Sequence, residues 1–307
     1  MHTCALTDMG VVIIDGADSR RFLQAQFTND IDSLTAERAQ LSAWCTPNGR
    51  VQYLFLLIAM GDAIYALMPK HQLDEFIESL RRYVMRSKVR LETDSGRFTL
   101  HGLVGSHDQS TGPFIGWPEA SWDARQSSSG SALVRLSDTC SIALIDANDS
   151  VTPEWCQTFT ACAEPLWHEH RLRSSQPNFE RAMTGKYIPQ MLNLDLVEGL
   201  SFSKGCYPGQ EIVARTQYLG RLKRRLFVGV GKSDTAPAPG TAVAGADGAN
   251  IGELLDCAVV EGELTVQAVL SLEGIAATPS NTTVYCDEHA IDIIGPFETG
   301  EDAAATV

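Results

Sequence analysis

Apolar residues in this 307-residue chain come in short bursts, and that spacing limits what it can build. The longest burst, around Leu54–Met60, is strand-sized and far short of the ~20 residues that cross a bilayer. Strands are expected at Val11–Asp15, Leu41–Cys45, Val51–Met60 and Ala63–Met68. Thr46-Pro47-Asn48-Gly49 should close a hairpin, because an Asn-Gly pair tolerates positive φ. After Gly16 breaks the first strand, Asp18 or Ser19 can cap a short helix with Phe22, Leu23 and Phe27 on its apolar face. From His71 to Met85 the period changes. Leu73, Phe76, Ile77, Leu80 and Tyr83 recur at i, i+3, i+4, i+7 and i+10, one face of an amphipathic helix. Strands follow at Val89–Glu92 and Phe98–Val104, so the first third predicts an antiparallel sheet with helices on one face.

Residues 106–131 are rich in Ser, Gly, Pro and Asp and read as a surface connection. Strand character returns at Ala132–Leu136 and Ser141–Asp146. Thr152 then serves as the expected N-cap, with Pro153 at the first helical position, of a helix carrying Trp155, Phe159, Cys162 and Leu166. Beyond Arg225 the pattern is short β runs, Leu226–Val230, Gly252–Val260, Leu264–Leu270 and Thr283–Cys286, separated by turns. That pattern predicts a small C-terminal β-barrel. Glu298–Val307 is expected to be disordered, and no internal repeat is visible.

A net charge of −14 disfavours non-specific binding to nucleic acid, which relies on Lys and Arg against phosphate. MHTCALTDMG shows no signal peptide, and with no spanning segment the expectation is a cytoplasmic protein. The eight cysteines form no C-x-x-C pair and have no histidine at zinc-finger spacing, so reduced thiols are expected. His168 and His170, two apart, would face opposite sides of a helix and are not expected to chelate a metal. G-x-S-x-G, G-x-G-x-x-G and the Walker A motif are absent.

Chemistry concentrates at Lys204-Gly205-Cys206-Tyr207-Pro208-Gly209-Gln210-Glu211. Glycines and a proline around Cys206 predict an irregular loop, and Gly205 leaves the approach to the sulfur without a side chain. Positive charge from Lys204 and Arg215 would favour the thiolate, while Gln210 and Glu211 add an amide and an acceptor. A buried cysteine beside a Gly-Pro turn is the plain structural alternative. Arg215, Arg221, Lys223, Arg224 and Arg225 form one basic concentration, read either as an anion attractor or as a solvated strand rim.

The segment IPQMLNLDLVEGLSFSKGCYPGQEIVARTQYLGRLKRRL closely resembles the signature of the YgfZ family, whose hallmark is K-G-C-Y-x-G-Q-E. IIDGADSRRFLQAQFTNDI and WCTPNGRV resemble the same family. The likeness is clear over residues 10–60 and 165–226 and weaker elsewhere. It implies an α+β fold like the T-protein of the glycine cleavage system: a three-domain ring of two ferredoxin-like α+β modules and a C-terminal β-barrel. The implied division is 1–45 with 175–222 as a discontinuous module, 46–174 as the second, 223–296 as the barrel and 297–307 as a flexible tail.

The resemblance further implies tetrahydrofolate or a derivative as ligand, and a role in assembling or repairing iron–sulfur clusters in client proteins, including tRNA-modifying radical enzymes. Partners would be folate and those clients or cluster-assembly factors, with neither membrane nor nucleic acid bound directly. Lys204, Gly205, Cys206, Tyr207, Gly209, Gln210 and Glu211 fall on the family motif, with Cys206 and Lys204 as the reactive pair. Trp167 falls where a bacterial relative has a folate-contacting tryptophan, and with Tyr207, Gln210, Glu211 and Arg215 completes the expected cofactor set. Two positions depart. Met9 stands where that relative has a second tryptophan, and Arg173 stands where T-proteins hold the pterin with glutamate. One motif cysteine cannot hold a four-cysteine cluster alone, so Cys206 is expected to carry a cluster or iron transiently, or to exchange thiols. The alternatives are a folate-dependent aminomethyltransferase, which needs an acid–base carboxylate near the folate amine, and a folate-free thiol redox sensor.

Overall fold

A computed structural model describes residues 1–105, 113–114, 116–174, 176–178, 183–276 and 283–295. The first sheet has five antiparallel strands in the order Gln40–Cys45, Val51–Met60, Ala63–Pro69, Met9–Asp15 and Arg90–Thr93. Its long strand explains the longest apolar burst. Tyr53, Phe55, Leu57 and Ala59 pack under the helices Ser19–Gln24 and Leu73–Val84, while Leu54, Leu56 and Ile58 enter the core on the opposite face. A strand buried on both faces has no need of polar alternation. The predicted amphipathic helix lies over the first face with Leu73, Phe76, Ile77 and Leu80 buried. Burying Phe76 alone stabilises by about 1.5–3 kcal/mol. Tyr83 stays half-exposed, its ring edge-on to Trp44 at 5.6 Å.

The second sheet runs Thr160–Ala161, His2–Ala5, Phe98–Val104, Cys140–Asp146, Ala132–Arg135 and Ala124–Gln126. Only its Thr160–Ala161 pairing with the N-terminal strand is parallel. Leu100, Ile142, Leu144 and Val134 meet the lower face of the first sheet in one core, which continues through Leu226, Leu255 and Val269 into the third module. That module is a closed six-stranded barrel: Arg224–Lys232, Glu263–Ser271, Asn250–Val260, Ala242–Ala244, Thr283–Cys286 and His289–Gly295. Closure leaves the barrel no free edge. Among the described residues no helix is long and apolar enough to cross a membrane.

Three expectations are corrected. A module border at 45/46 would cut the hairpin in which Gln40–Cys45 pairs with Val51–Met60, so the sheets divide otherwise. The first draws on residues 9–93. The second takes His2–Ala5 together with residues 98–161, because the N-terminal strand pairs with Phe98–Val104. The helix expected from Thr152 through Leu166 is in fact two, Val151–Cys156 and Glu164–Arg173, with a strand between them. Thr160 and Cys162 donate their backbone N–H to the Met1 and Thr3 carbonyls at 3.2 and 2.9 Å, a pairing that no local periodicity announces. Residues 297–307 and 106–112 lie outside the described residues, and part of the expected connection, Ala124–Gln126, is a strand.

The first of these helices begins after Ser150, and the side chain that caps it is that of Asp149, not Thr152. Its buried carboxylate accepts from the Val151 and Thr152 N–H groups at 3.0 Å each, from Thr152 Oγ1 at 2.6 Å and from Ser131 Oγ at 2.7 Å. Burial pushes the carboxyl up, but hydrogen bonds from Thr152, Ser131 and Ser127 outweigh it and hold the group at about 2. Its contribution is therefore complete above about pH 4 and lost as pH falls through about 2. Asp149→Asn should cost about 1–3 kcal/mol at neutral pH. Its thermal stability, measured from pH 5 to 2, should fall less steeply than that of the native chain.

Candidate functional site

The motif loop is built on the segment that follows the first helix. Phe27 is fully buried, its ring centroid 4.5 Å from that of Phe55, which fixes the two residues after it. Thr28 exchanges hydrogen bonds with Ala43 and donates its hydroxyl to the Gly199 carbonyl at 2.9 Å. Its own carbonyl accepts from Ser201 N–H at 3.0 Å. Asn29 Nδ2 donates to the carbonyls of Leu41 and Glu198 at 2.9 and 2.6 Å. Lys204 completes the join, its Nζ donating to the carbonyls of Phe27 and Asn29 at 2.6 and 2.7 Å. Burial pushes the Lys204 ammonium down to about 8, with Asp30 and Asp32 pulling the other way. Its ammonium also lies 5.5 Å from the centre of the Tyr207 ring. Lys204 is thus the anchor of the loop, its donors committed to backbone.

Beyond Cys206 the chain turns inward. Tyr207 is buried in the core shared with Cys45, Val51 and Val213, and burial pushes its phenol far above the ordinary range. Gly209, at φ +83°, is the N-cap of the helix Gln210–Tyr218. A Cβ there would fall 2.5 Å from the Thr46 carbonyl and 2.6 Å from the backbone of Gly49. The turn predicted at Thr46–Gly49 is therefore the seat on which the motif rests. Between these two anchors Cys206 stands exposed, whereas every other cysteine is buried or half-buried. Gly205 has open space about it. Arg215 pairs with Glu211 along the exposed face of the helix at 2.9 Å, so both charges act at the surface. The basic run divides too. Arg225 is clamped to Asp195 at 3.0 and 2.8 Å, while Arg221, Lys223 and Arg224 remain exposed.

Trp167 belongs elsewhere. It is buried on the helix Glu164–Arg173, donates Nε1–H to the Ser141 carbonyl at 2.9 Å, and lies over Gly102, where a Cβ would meet the ring at 2.5 Å. With Met9, Asp8, Lys70, His71, Glu164 and Arg171 it lines a cleft of about 1010 Å³ bounded on the barrel side by Cys257–Val259. The two positions that the resemblance pairs, Met9 and Trp167, thus share one cleft wall. Tyr207, Gln210, Glu211 and Arg215 do not line it, so the expected cofactor set separates into a cleft residue and four residues of the motif loop and helix. Arg173 does not line it either. It pairs with Glu169 at 2.9 Å and with Glu263. Carboxylates enter the cleft instead from Asp8 and Glu164, and burial followed by the charge of Asp8 pushes the Glu164 carboxyl up. His168 faces the buried Asp256 at 2.9 Å, and His170 faces Thr139 at 3.0 Å. Thr28, Asn29 and Asp195 lie in stretches that carry the family likeness but were not singled out, and the cleft residues Asp8, Lys70 and Glu164 carried no signal in the sequence, because their roles come from distant partners.

Gly209→Ala should lower stability by about 2 kcal/mol or more, since it adds positive-φ strain to a backbone clash. Gly205→Ala should melt within about 0.5 kcal/mol of the native chain. Equal destabilisation of the two in chemical denaturation would contradict this seating. Lys204→Met should cost about 1.5–3 kcal/mol through the lost charged hydrogen bonds. Between pH 8 and 10.5 the unfolded lysine holds a proton that the folded one has lost, so native stability rises with pH across that window. The rise should vanish in Lys204→Met when melting is followed over the same range.

No protein-family model matches the chain. Among curated proteins, it is 31% identical over 228 residues to the tRNA-modifying protein YgfZ of Vibrio atlanticus, covering 74% of this chain and 69% of that one. It is 29% identical over 277 residues to the tRNA-modifying protein YgfZ of Serratia proteamaculans, covering 87% and 83%. Its fold superposes on the glycine cleavage system aminomethyltransferase T from Bartonella henselae with a TM-score of 0.69 at 9% identity, over 96% of this chain and 85% of that one. The architecture is that of the T-protein, and by its sequence relatives this chain belongs to the YgfZ family.

Proposed function

We propose that this protein acts in tRNA modification as a folate-binding accessory protein for iron–sulfur enzymes, with Cys206 as its working thiol. The observation that carries the reading is the contrast among eight cysteines: the one in the motif is exposed, on a loop held at both ends by Lys204 and Gly209. A thiol so placed can meet a partner's sulfur or iron without local unfolding. The relatives' name supports the tRNA context.

The cleft supports the folate part. Its wall includes the edge of Trp167, whose ring is buried between Gly102 and Arg171, and it offers Asp8 and Glu164 to accept from an aminopterin edge and Lys70 to face glutamate carboxylates. When bound, tetrahydrofolate supplies a carrier for one-carbon units. Trp167 would back the site, and the charged rim would select the two ends of the ligand.

Tetrahydrofolate titration read by tryptophan fluorescence tests both halves. Cys206→Ala should bind as the native chain does. Trp167→Phe should bind about tenfold more weakly, or about 1.4 kcal/mol. In cells lacking the protein, Cys206→Ala should fail to restore tRNA modification. Restoration by Cys206→Ala would remove the thiol from the function. Glycine-dependent methylene transfer to folate by the pure protein would instead establish an aminomethyltransferase.

A further inference from the structure

The exposed end of the motif helix carries a feature that neither the cleft nor the loop anchors use. Tyr218 is 69% exposed and Leu219 86%, two large apolar side chains in sequence at the surface. The Phe202 ring packs edge-on against Tyr218 with centroids 6.0 Å apart. Phe202 and Gly209 are the two ends of the stretch that holds Cys206. One meets the last turn of the helix and the other begins it, so the thiol loop is strapped along the helix that presents Tyr218 and Leu219.

Charge surrounds this patch on one side. Residues 204–225 hold six basic side chains against one acidic, in a chain whose total is −14. Lys204 and Arg225 are committed internally and Arg215 pairs with Glu211, the one acidic residue, which leaves Arg221, Lys223 and Arg224 facing solvent directly after Leu219. The backbone of Lys223 and Arg224 is fixed. Leu272 N–H donates to the Lys223 carbonyl at 2.9 Å, and Arg224 begins the first barrel strand opposite Ser271. An exposed tyrosine followed in sequence by exposed arginines is a combination enriched at protein interfaces.

We propose that Phe202, Tyr218 and Leu219, with Arg221, Lys223 and Arg224, form a docking surface for an acidic, apolar-bearing segment of a partner protein, which brings that partner to Cys206. This rests on the reading of Cys206 as the working thiol. Charge complementarity favours a protein segment over RNA. A short acidic segment can remain on the basic row, whereas an RNA would extend past it onto a chain of strongly negative balance. The apolar centre also suits a leucine or aromatic side chain better than a phosphate.

The test places the photo-crosslinker p-benzoylphenylalanine at position 219 of the full chain, in cells lacking the native copy. Crosslinked peptides are then sequenced. The expected adduct is to one protein, through a segment of net negative charge. It should fall about tenfold when Arg221→Glu, Lys223→Glu and Arg224→Glu are combined. Adducts to RNA, adducts to a second copy of this chain, adducts unaffected by the charge reversal, or no adduct would each overturn the proposal. Melting of the triple variant checks its fold. If it does not fold, Arg221→Glu with Lys223→Glu alone must lower the yield. Cys206→Ser should crosslink like the native chain. If Cys206→Ser also restores tRNA modification, the thiol reading fails while the docking surface stands.

Discussion

The ammonium of Lys204 bridges the Phe27 and Asn29 carbonyls across 177 and 175 residues of chain, and the motif depends on that join. The carbonyls are in place because Phe27 fills the helical side of the first sheet and Thr28 and Asn29 are tied to its edge strand. At the other end Gly209 lies against the hairpin turn at a separation that no side chain tolerates. A loop with two such anchors can leave a cysteine in solvent and still hold it in one place. Exposure alone would give a mobile thiol, and burial alone an inert one.

The same structure separates the thiol from the cleft. The motif rests on the hairpin end of the first sheet, whereas the cleft is lined by the start of that sheet's Met9–Asp15 strand, the helix Glu164–Arg173 and the barrel. Both are joined through one apolar core that includes residues of all three modules. Close packing of that kind transmits small displacements, so the cleft and the thiol loop share a rigid frame without sharing contacts.

Much of this was legible beforehand. The helix Leu73–Val84, the hairpin turn at Thr46–Gly49 and most strands follow from period and turn chemistry, which are local. The family motif singled out Cys206, the one exposed cysteine. Other readings failed for a common reason. Thr160–Ala161 is a strand only because His2–Thr3 lies beside it, and the Gln40–Cys45 strand joins Val51–Met60 across a border drawn through their turn. Lys204 looked like a charge for the thiol until its two carbonyl partners, contributed from the far end of the chain, came into view.

The sequence by itself determined the kinds of element, the turn that receives the motif and the identity of the thiol, because these depend on side-chain period and backbone tolerance within a few residues. Tertiary structure alone decided that Lys204 is an anchor, that Arg173 is bound to Glu169 and Glu263 while Glu164 enters the cleft, and that Met9 and Trp167 share a wall. Each of those outcomes requires groups distant in the chain to meet, and burial then changes what the same side chain can do.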